Sequence, residues 1–181
     1  FWGAAAIAGG SVTVKGVSVN SSQGDVGLAR VFEQMGCQVA LDPDGITVTG
    51  GKLRGVIVDM ADMPDMVPTL AVVAAFADGA TVIHNVSHLK AKESDRLAST
   101  CAELQKMGID ATTENDRLIV TGGIPHGADI QTYDDHRIAM SFAMAGLVVP
   151  GVRILDPHCV EKSFPDFWEV WETLYACRRI A

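Results

Sequence analysis

The sequence predicts an α/β fold in which one supersecondary unit is used about three times around buried helices. The first observation is a repeat of about 70 residues: residues 10–51 and 79–123 share glycines, strands and turns, and residues 151–174 form a partial copy. The second is that aspartates recur in phase with the repeat. They form two series: Asp25, Asp95 and Asp166, and Asp65 and Asp135. The third is a pair of helices with no polar face, which have to be buried on every side.

Composition and charge exclude several classes of protein. A chain of 181 residues, 48% hydrophobic and 20% charged, is typical of one globular domain. The net charge of −8 argues against a nucleic-acid surface, which would be basic. The sequence has no apolar run of about 18 residues, so it predicts no membrane span. The four cysteines form no CxxC pair, which argues against disulfides or zinc and favours the cytoplasm: Cys37, Cys101, Cys159 and Cys177.

The first copy begins with FWGAAAIAGG, which predicts the last turns of a helix. Residues 11–17 predict a strand, and residues 25–35 predict an amphipathic helix with Leu28 and Met35 on one face and Gly36 as its stop. The sequence QVALDPDGITVTG then predicts a hairpin. Because the other copies of the opening helix start at an aspartate that this chain does not contain, we expect the chain to be a C-terminal fragment of a longer protein.

The later copies repeat this order. Residues 81–86 and 152–155 predict strands, and residues 95–107 predict the second amphipathic helix. A third amphipathic helix opens at Pro165 and Asp166, which are favourable residues in a first turn. IDATTENDRLIVTG predicts a second hairpin, whereas the third copy stops before one.

Residues 66–77 and 138–149 predict the two buried helices. Their sequences, MVPTLAVVAAFA and IAMSFAMAGLVV, are apolar all round except for one Thr and one Ser. Pro68 is tolerated because it lies in the first turn. The arrangement that satisfies this pattern places these helices in the middle, with strands and amphipathic helices around them.

Charged residues gather at or just before helix starts. The second copy holds HLKAKESDR where the first holds the neutral VNSSQGD, and TYDDHRIAM, VEKSFPD and DMPDM add further charges. Helix N-termini favour anions, and arginine binds carboxylate and phosphate in a bidentate manner. In an acidic protein this pattern predicts a site for a small anionic ligand, with Asp65 and Glu93 as candidates for proton transfer.

The same residues also have structural interpretations. Asp25, Asp95, Asp135 and Asp166 suit N-terminal caps or first-turn carboxylates of helices, and residues 92–96 suit a solvated loop. His136 suits a hydrogen-bonded structural histidine. The remaining histidines, His84, His126 and His158, are interpreted as structural or surface residues, and the methionines Met60, Met63 and Met66 as core.

Several segments together resemble one family. LKAKESDR, YDDHRIAM, CVEKSFPDFWE, NSSQGD and DMPDMVPTLAVVAAFA closely resemble the C-terminal part of the EPSP synthase (3-phosphoshikimate 1-carboxyvinyltransferase) family, in unbroken order over essentially the whole chain. The resemblance implies a lobe with pseudo-threefold symmetry, built of βαβαββ units around buried parallel helices, an inside-out α/β barrel. The chain then forms most of one lobe, residues 1–181, with about two and a half units. The other lobe and an N-terminal segment are expected to be missing.

The resemblance also implies a reaction. Members of the family transfer the enolpyruvyl group of phosphoenolpyruvate to the 5-hydroxyl of shikimate 3-phosphate, in aromatic amino acid biosynthesis, through a tetrahedral intermediate. They use no metal and no organic cofactor. By motif, Asp65, Glu93 and Lys162 look like the acid–base residues. Arg96 and Arg137 look like the clamp on the phosphoenolpyruvate carboxylate, Lys92 and His88 like contacts to shikimate 3-phosphate, and His136 like a supporting hydrogen-bonding residue.

One position departs from the family, because many relatives have Asn where this chain has His88. The sequence leaves two alternatives: a UDP-N-acetylglucosamine enolpyruvyl transferase, which shares the fold, and a non-enzymatic repeat scaffold, whose loops would be interchangeable. The pairing of DDHR with KESDR, together with KSFPDF, favours the EPSP synthase family over the first alternative. The loops differ in chemistry from copy to copy, which argues against the second. We expect the complete protein to be a cytoplasmic monomer that binds neither nucleic acid nor membranes, and the isolated chain to be inactive.

Overall fold

The computed structural model describes residues 1–18, 20–21 and 23–178. Ser22 of the NSSQGD loop and the side chain of Cys177 lie outside the described part. The first unit contains α1 (Trp2–Ala8), β1 (Ser11–Lys15), α2 (Leu28–Met35), β2 (Gln38–Asp42) and β3 (Gly45–Thr49). The second contains β4 (Ile57–Asp59), α3 (Val67–Ala74), β5 (Ala80–His84), α4 (Arg96–Lys106), β6 (Asp110–Glu114) and β7 (Arg117–Thr121). The third contains β8 (Asp129–Ile130), α5 (His136–Gly146), β9 (Arg153–Ile154) and α6 (Phe167–Arg178).

The strands form separate sheets, one for each unit. The first has the order β1-β3-β2, the second β4-β5-β7-β6 and the third β8-β9. Strands β4 and β5 are parallel, and so are β8 and β9, whereas both hairpins are antiparallel. The second unit is therefore a complete βαβαββ unit, and the α/β class predicted from the sequence is confirmed.

Helices α1, α3 and α5 pack against one another in the centre of the fold. Both predicted apolar helices are buried on nearly all sides, as the absence of a polar face requires. Gly3, Met66 and His136, near the starts of the three helices, line a single cleft. The three helices consequently begin at the same end of the fold, as the resemblance implied.

The element boundaries differ from those expected. The predicted helix at residues 66–77 begins with a 3₁₀ turn, Pro64–Met66, and its α-helical part ends at Ala74. The predicted helix at residues 25–35 likewise starts with a 3₁₀ turn, Gly24–Gly27. The sequence patterns did not predict β4 and β8, because strands of two or three residues are too short to show alternation. Among the aspartates expected to be caps or first-turn carboxylates, Asp95 and Asp135 are confirmed as caps, and Asp25 is confirmed as a first-turn carboxylate that makes no capping hydrogen bond.

Candidate active site

The starts of α3, α4 and α5 meet at one end of the fold. The Asp95 carboxylate accepts a hydrogen bond from the Ala98 N–H at 3.0 Å and fixes the start of α4 at Arg96. The Asp135 carboxylate accepts one from the Arg137 N–H at 3.0 Å and does the same for α5. Each cap therefore places an arginine in the first turn of its helix, beside the free N–H groups that favour an anion.

Arg96 lies at the centre of this cluster with only 3% of its side chain exposed. Its Nε donates to Asp135 Oδ2 at 2.7 Å and its Nη1 donates to Asp65 Oδ1 at 2.7 Å. The matching positions in the other two copies, 70 residues earlier and 71 residues later, hold the apolar residues Val26 and Phe167. One copy of the scaffold thus carries a buried guanidinium where the others carry a partly buried valine and a buried phenylalanine. Because a buried charge is unfavourable unless it is paired, both carboxylates are needed to hold it there.

Asp65 is the point where three cations meet. In addition to Arg96, Lys92 Nζ lies 3.4 Å from Oδ1 and Arg137 Nη2 lies 3.1 Å from Oδ2. Burial tends to raise the pKa of the Asp65 carboxyl, but the charges of Arg137, Lys92 and Arg96 outweigh it and hold the pKa below its usual range. Asp65 is therefore ionised and neutralises cations that a ligand carboxylate would also bind.

Glu93 joins a second group of acid–base side chains beside the first. Its Oε2 lies 3.1 Å from His136 Nδ1 and 3.5 Å from Lys162 Nζ. Lys162 also donates to the Asp134 carbonyl at 2.7 Å, which holds its ammonium over the start of α5. A carboxylate in contact with both an imidazole and an ammonium can pass a proton to or from a bound reactant.

Asp135 is a further site residue: it lies in the charged segment TYDDHRIAM, but it was not among the eight candidate residues predicted from the sequence. Its side chain is 0% exposed and accepts hydrogen bonds from Arg96 and from the Ser94 hydroxyl. Burial acts to raise the pKa of Asp135, but the bonds from Arg96 and from the Arg137 backbone outweigh it and lower the pKa. The signal in the sequence was the repeat itself, since Asp135 lies 70 residues after Asp65, which was a candidate site residue. The structure adds that both carboxylates bind Arg96.

The structure brings seven of the eight candidate residues into one network. His88 is the exception: it is exposed on a 3₁₀ turn, Ser87–Ala91, and makes no polar contact with the other seven in the described ranges. A cleft of about 410 Å³ opens beside the network and runs between the starts of the central helices. The seven are Asp65, Lys92, Glu93, Arg96, His136, Arg137 and Lys162.

Glu93, Asp135 and His136 place three possible metal-ligand atoms within 4.8 Å of one another. Arg96 already binds Asp135 and lies 3.7 Å from Glu93, and Lys162 approaches Glu93 as well. A metal ion at this position would therefore compete with two fixed cations. These contacts favour an anion site over a metal centre.

We expect stability to fall in acid through Asp135. Because its pKa in the folded chain lies below the ordinary value of 3.8, Asp135 stabilises the fold fully above about pH 4 and progressively less as the pH falls through the folded pKa. Thermal unfolding between pH 7 and pH 3 tests this, with Asp135→Asn as the comparison. The variant should lose less stability below pH 4 than the parent; equal losses would contradict the assignment.

The chain is similar to known proteins of one family. A profile of the EPSP synthase (3-phosphoshikimate 1-carboxyvinyltransferase) family matches residues 1–171. The chain is 49% identical over 176 residues to the 3-phosphoshikimate 1-carboxyvinyltransferase of Syntrophobacter fumaroxidans, covering 96% of this chain and 42% of that relative. It is 43% identical over 183 residues to the chloroplastic enzyme of Brassica napus, covering 96% and 36%. The chain thus spans about two fifths of the length of the curated relatives it matches.

Solved structures agree on the fold. An EPSP synthase from Acinetobacter baumannii superposes with a TM-score of 0.86 at 32% identity, over 95% of this chain and 43% of that one. The enolpyruvyl transferase NikO from Streptomyces tendae superposes with a TM-score of 0.78 over 96% of this chain and 41% of that one; at 24% identity it supports the fold alone. Among the described residues, none of the helices is long and apolar enough to cross a membrane.

Proposed function

Since the chain belongs to the EPSP synthase family, we propose that it forms most of one lobe of a two-lobe enolpyruvyl transferase. The complete enzyme would transfer the enolpyruvyl group of phosphoenolpyruvate to the 5-hydroxyl of shikimate 3-phosphate and release phosphate. The observation that supports the proposal most directly is that Arg96, Arg137 and Lys92 all contact the Asp65 carboxylate at the helix starts. This arrangement supplies two arginines for a carboxylate and a base beside them.

The two arginines suit the carboxylate of phosphoenolpyruvate. Arg137 is partly exposed and lines the cleft, so a ligand can reach its guanidinium group directly. Arg96 is buried and held by Asp135, and a ligand would reach it by taking the place of the Asp65 carboxylate on its Nη1. Lys162 and Lys92 add two ammonium groups for the phosphates of the substrates. Fixed cations stabilise the charge that develops in the transition state without reorganising during the reaction.

The acid–base residues suit an addition followed by an elimination. Asp65 would take the proton of the 5-hydroxyl while the oxygen of that hydroxyl forms a bond to the second carbon of phosphoenolpyruvate. Glu93, beside His136 and Lys162, would deliver a proton to the methylene carbon and so form the methyl group of the tetrahedral intermediate. In the elimination the same methyl group returns a proton to Glu93 as the bond to phosphate breaks. His88, exposed on its 3₁₀ turn, would contact shikimate 3-phosphate.

Phosphate release by the complete enzyme tests the proposal. We expect turnover of phosphoenolpyruvate with shikimate 3-phosphate and none with UDP-N-acetylglucosamine. Turnover with the sugar nucleotide alone would establish the alternative enolpyruvyl transferase, and turnover with neither would favour a scaffold. A monomeric, cytoplasmic enzyme without cofactor is part of the proposal, and gel filtration of the purified protein tests the monomer.

We expect the 181-residue chain by itself to have no measurable turnover. Its cations lie on one surface at one end of the fold, so a second lobe is needed to enclose the reactants and exclude water. The same assay, run with the purified chain at the concentration used for the complete enzyme, checks this. Turnover by the chain alone would show that one lobe suffices.

A further inference from the structure

We propose that Glu103 is a positioning residue for this site, although it lies two helical turns from Arg96 and contacts none of the candidate catalytic groups. Through the turn at residues 131–135, it would hold the backbone that orients both Lys162 and Arg96. The inference deepens the proposed function and rests on it. It stands on one buried carboxylate and on the strained turn that this carboxylate binds.

Glu103 is a carboxylate in the protein interior, 0% exposed. Its Oε1 accepts a hydrogen bond from the Tyr133 hydroxyl at 2.6 Å, and its Oε2 accepts one from the Gln131 N–H at 3.1 Å. Lys106 Nζ donates to both oxygens at 2.8 Å and supplies the counter-charge. Two of the three partners thus lie in the segment that leads into α5.

That segment has an unfavourable backbone conformation. Tyr133 and Asp134 have φ values of 55° and 53°, and neither is glycine. Consecutive non-glycine residues in the left-handed region persist only where surrounding contacts hold them. Glu103 provides two such contacts, and a third comes from the Asp135 N–H, which donates to the Thr132 carbonyl at 2.9 Å. Burial, and after it the hydrogen bond to the Glu103 carboxylate and its charge, raise the pKa of Tyr133 to about 12, so the hydroxyl stays a donor.

The geometry of this turn determines where the reactive groups lie. The Asp134 carbonyl, aimed by the left-handed residues, accepts the bond from Lys162 Nζ. The next residue, Asp135, binds Arg96 and caps α5. If the turn relaxed to an ordinary conformation, the Asp134 carbonyl would move away from Lys162 and the Asp135 carboxylate would move relative to Arg96.

Helix α4 therefore holds the turn at two points, with opposite charges. Arg96 binds its end at Asp135, and Glu103, seven residues later on the same face of the helix, binds its beginning. The repeat supports a specific role for this glutamate. Glu33, 70 residues earlier, occupies the matching position in α2 and is exposed. Of these two copies, only the second buries the carboxylate.

The test is Glu103→Gln in the complete enzyme, with Glu33→Gln as the matched control. The glutamine keeps the size of the side chain but places an amide donor against the Gln131 N–H or Lys106. We expect kcat to fall by about 10- to 100-fold because Lys162 would lose its position. The KM for phosphoenolpyruvate should rise because Asp135 would no longer hold Arg96 in place. The control should retain parental values. Tyr133→Phe, which removes one hydroxyl from a half-exposed ring, should shift the same constants in the same direction with little effect on folding.

A readout without substrate separates this proposal from the proposed function. Hydrogen exchange of the Gln131 and Asp135 amides should be at least about tenfold faster in Glu103→Gln than in Glu33→Gln. If the parent lacks turnover, the proposed function fails and the exchange result still tests the turn. A purely structural Glu103 predicts a lower Tm with unchanged kcat, KM and exchange in the folded enzyme. That outcome, in both Glu103→Gln and Tyr133→Phe, would overturn the proposal.

Discussion

Replacing Arg96 with alanine is expected to weaken phosphoenolpyruvate binding and to reduce the free energy of unfolding by about 3–5 kcal/mol. The large loss of stability follows from Asp135, which is fully buried and would lose the guanidinium that neutralises it. The Ser94 hydroxyl and the Arg137 N–H would still bind Asp135, but neither carries charge to the carboxylate. Urea unfolding measures the first effect, and the dissociation constant of phosphoenolpyruvate measures the second.

Arg137→Ala is the matched control, since it removes the other proposed arginine of the clamp. Arg137 and its partner Asp65 are both partly exposed, so this variant should lose ligand affinity while the free energy of unfolding changes by about 1 kcal/mol or less. A double variant, Arg96→Met with Asp135→Leu, should recover part of the stability because it leaves no unpaired buried charge. It should not recover binding.

Two results would contradict this account of Arg96. Equal destabilisation by Arg96→Ala and Arg137→Ala would show that the buried pair with Asp135 does not give Arg96 a larger effect on the free energy of unfolding. Unchanged phosphoenolpyruvate affinity in both variants would remove the clamp from the proposed function. Recovery of stability in the double variant without recovery of binding would separate the two roles of Arg96 in one experiment.

Much of the fold could be predicted from the sequence because periodicity reports burial directly. The helices without a polar face are α3 and α5, and they lie at the centre; the alternating segments around PDG and ENDR form the hairpins β2–β3 and β6–β7. The strands β4 and β8 could not be predicted in this way. They are two or three residues long, and their pairing with β5 and β9 depends on the tertiary arrangement.

The candidate site could be predicted in its members but not in its contacts. Comparing the copies of the repeat singled out the charged segment HLKAKESDR, which contains Arg96, because the first copy has the neutral VNSSQGD in the same loop. The comparison could not show that Asp65 and Asp135, which occupy matching positions, both bind this arginine. Glu103 gave no signal either, since Glu33 occupies the same position in an exposed helix face. Whether a glutamate is buried depends on what packs against its helix, here the turn at residues 131–135.

Replacing Asp65 with asparagine is expected to lower kcat by about 10²–10⁴-fold and to tighten phosphoenolpyruvate binding. The carboxylate is the proposed base for the 5-hydroxyl, and an amide cannot accept that proton. The same carboxylate neutralises Lys92, Arg96 and Arg137 in the ligand-free site, so its loss should leave them free for the ligand. We expect a gain in affinity of roughly fivefold to tenfold, on the order of 1 kcal/mol.

The two opposite changes are what distinguish a base from a binding residue at Asp65. Arrival of an anionic ligand would relieve the charges that lower the pKa of Asp65, and so make the carboxylate a stronger base when it is needed. Asp62→Asn is the matched control, because Asp62 is exposed three residues away and forms no ion pair within the described ranges. It changes the net charge equally and should leave kcat and affinity near parental values. Weaker binding in Asp65→Asn would show that the carboxylate organises the cations for the ligand, whereas an unchanged kcat would exclude it as the base.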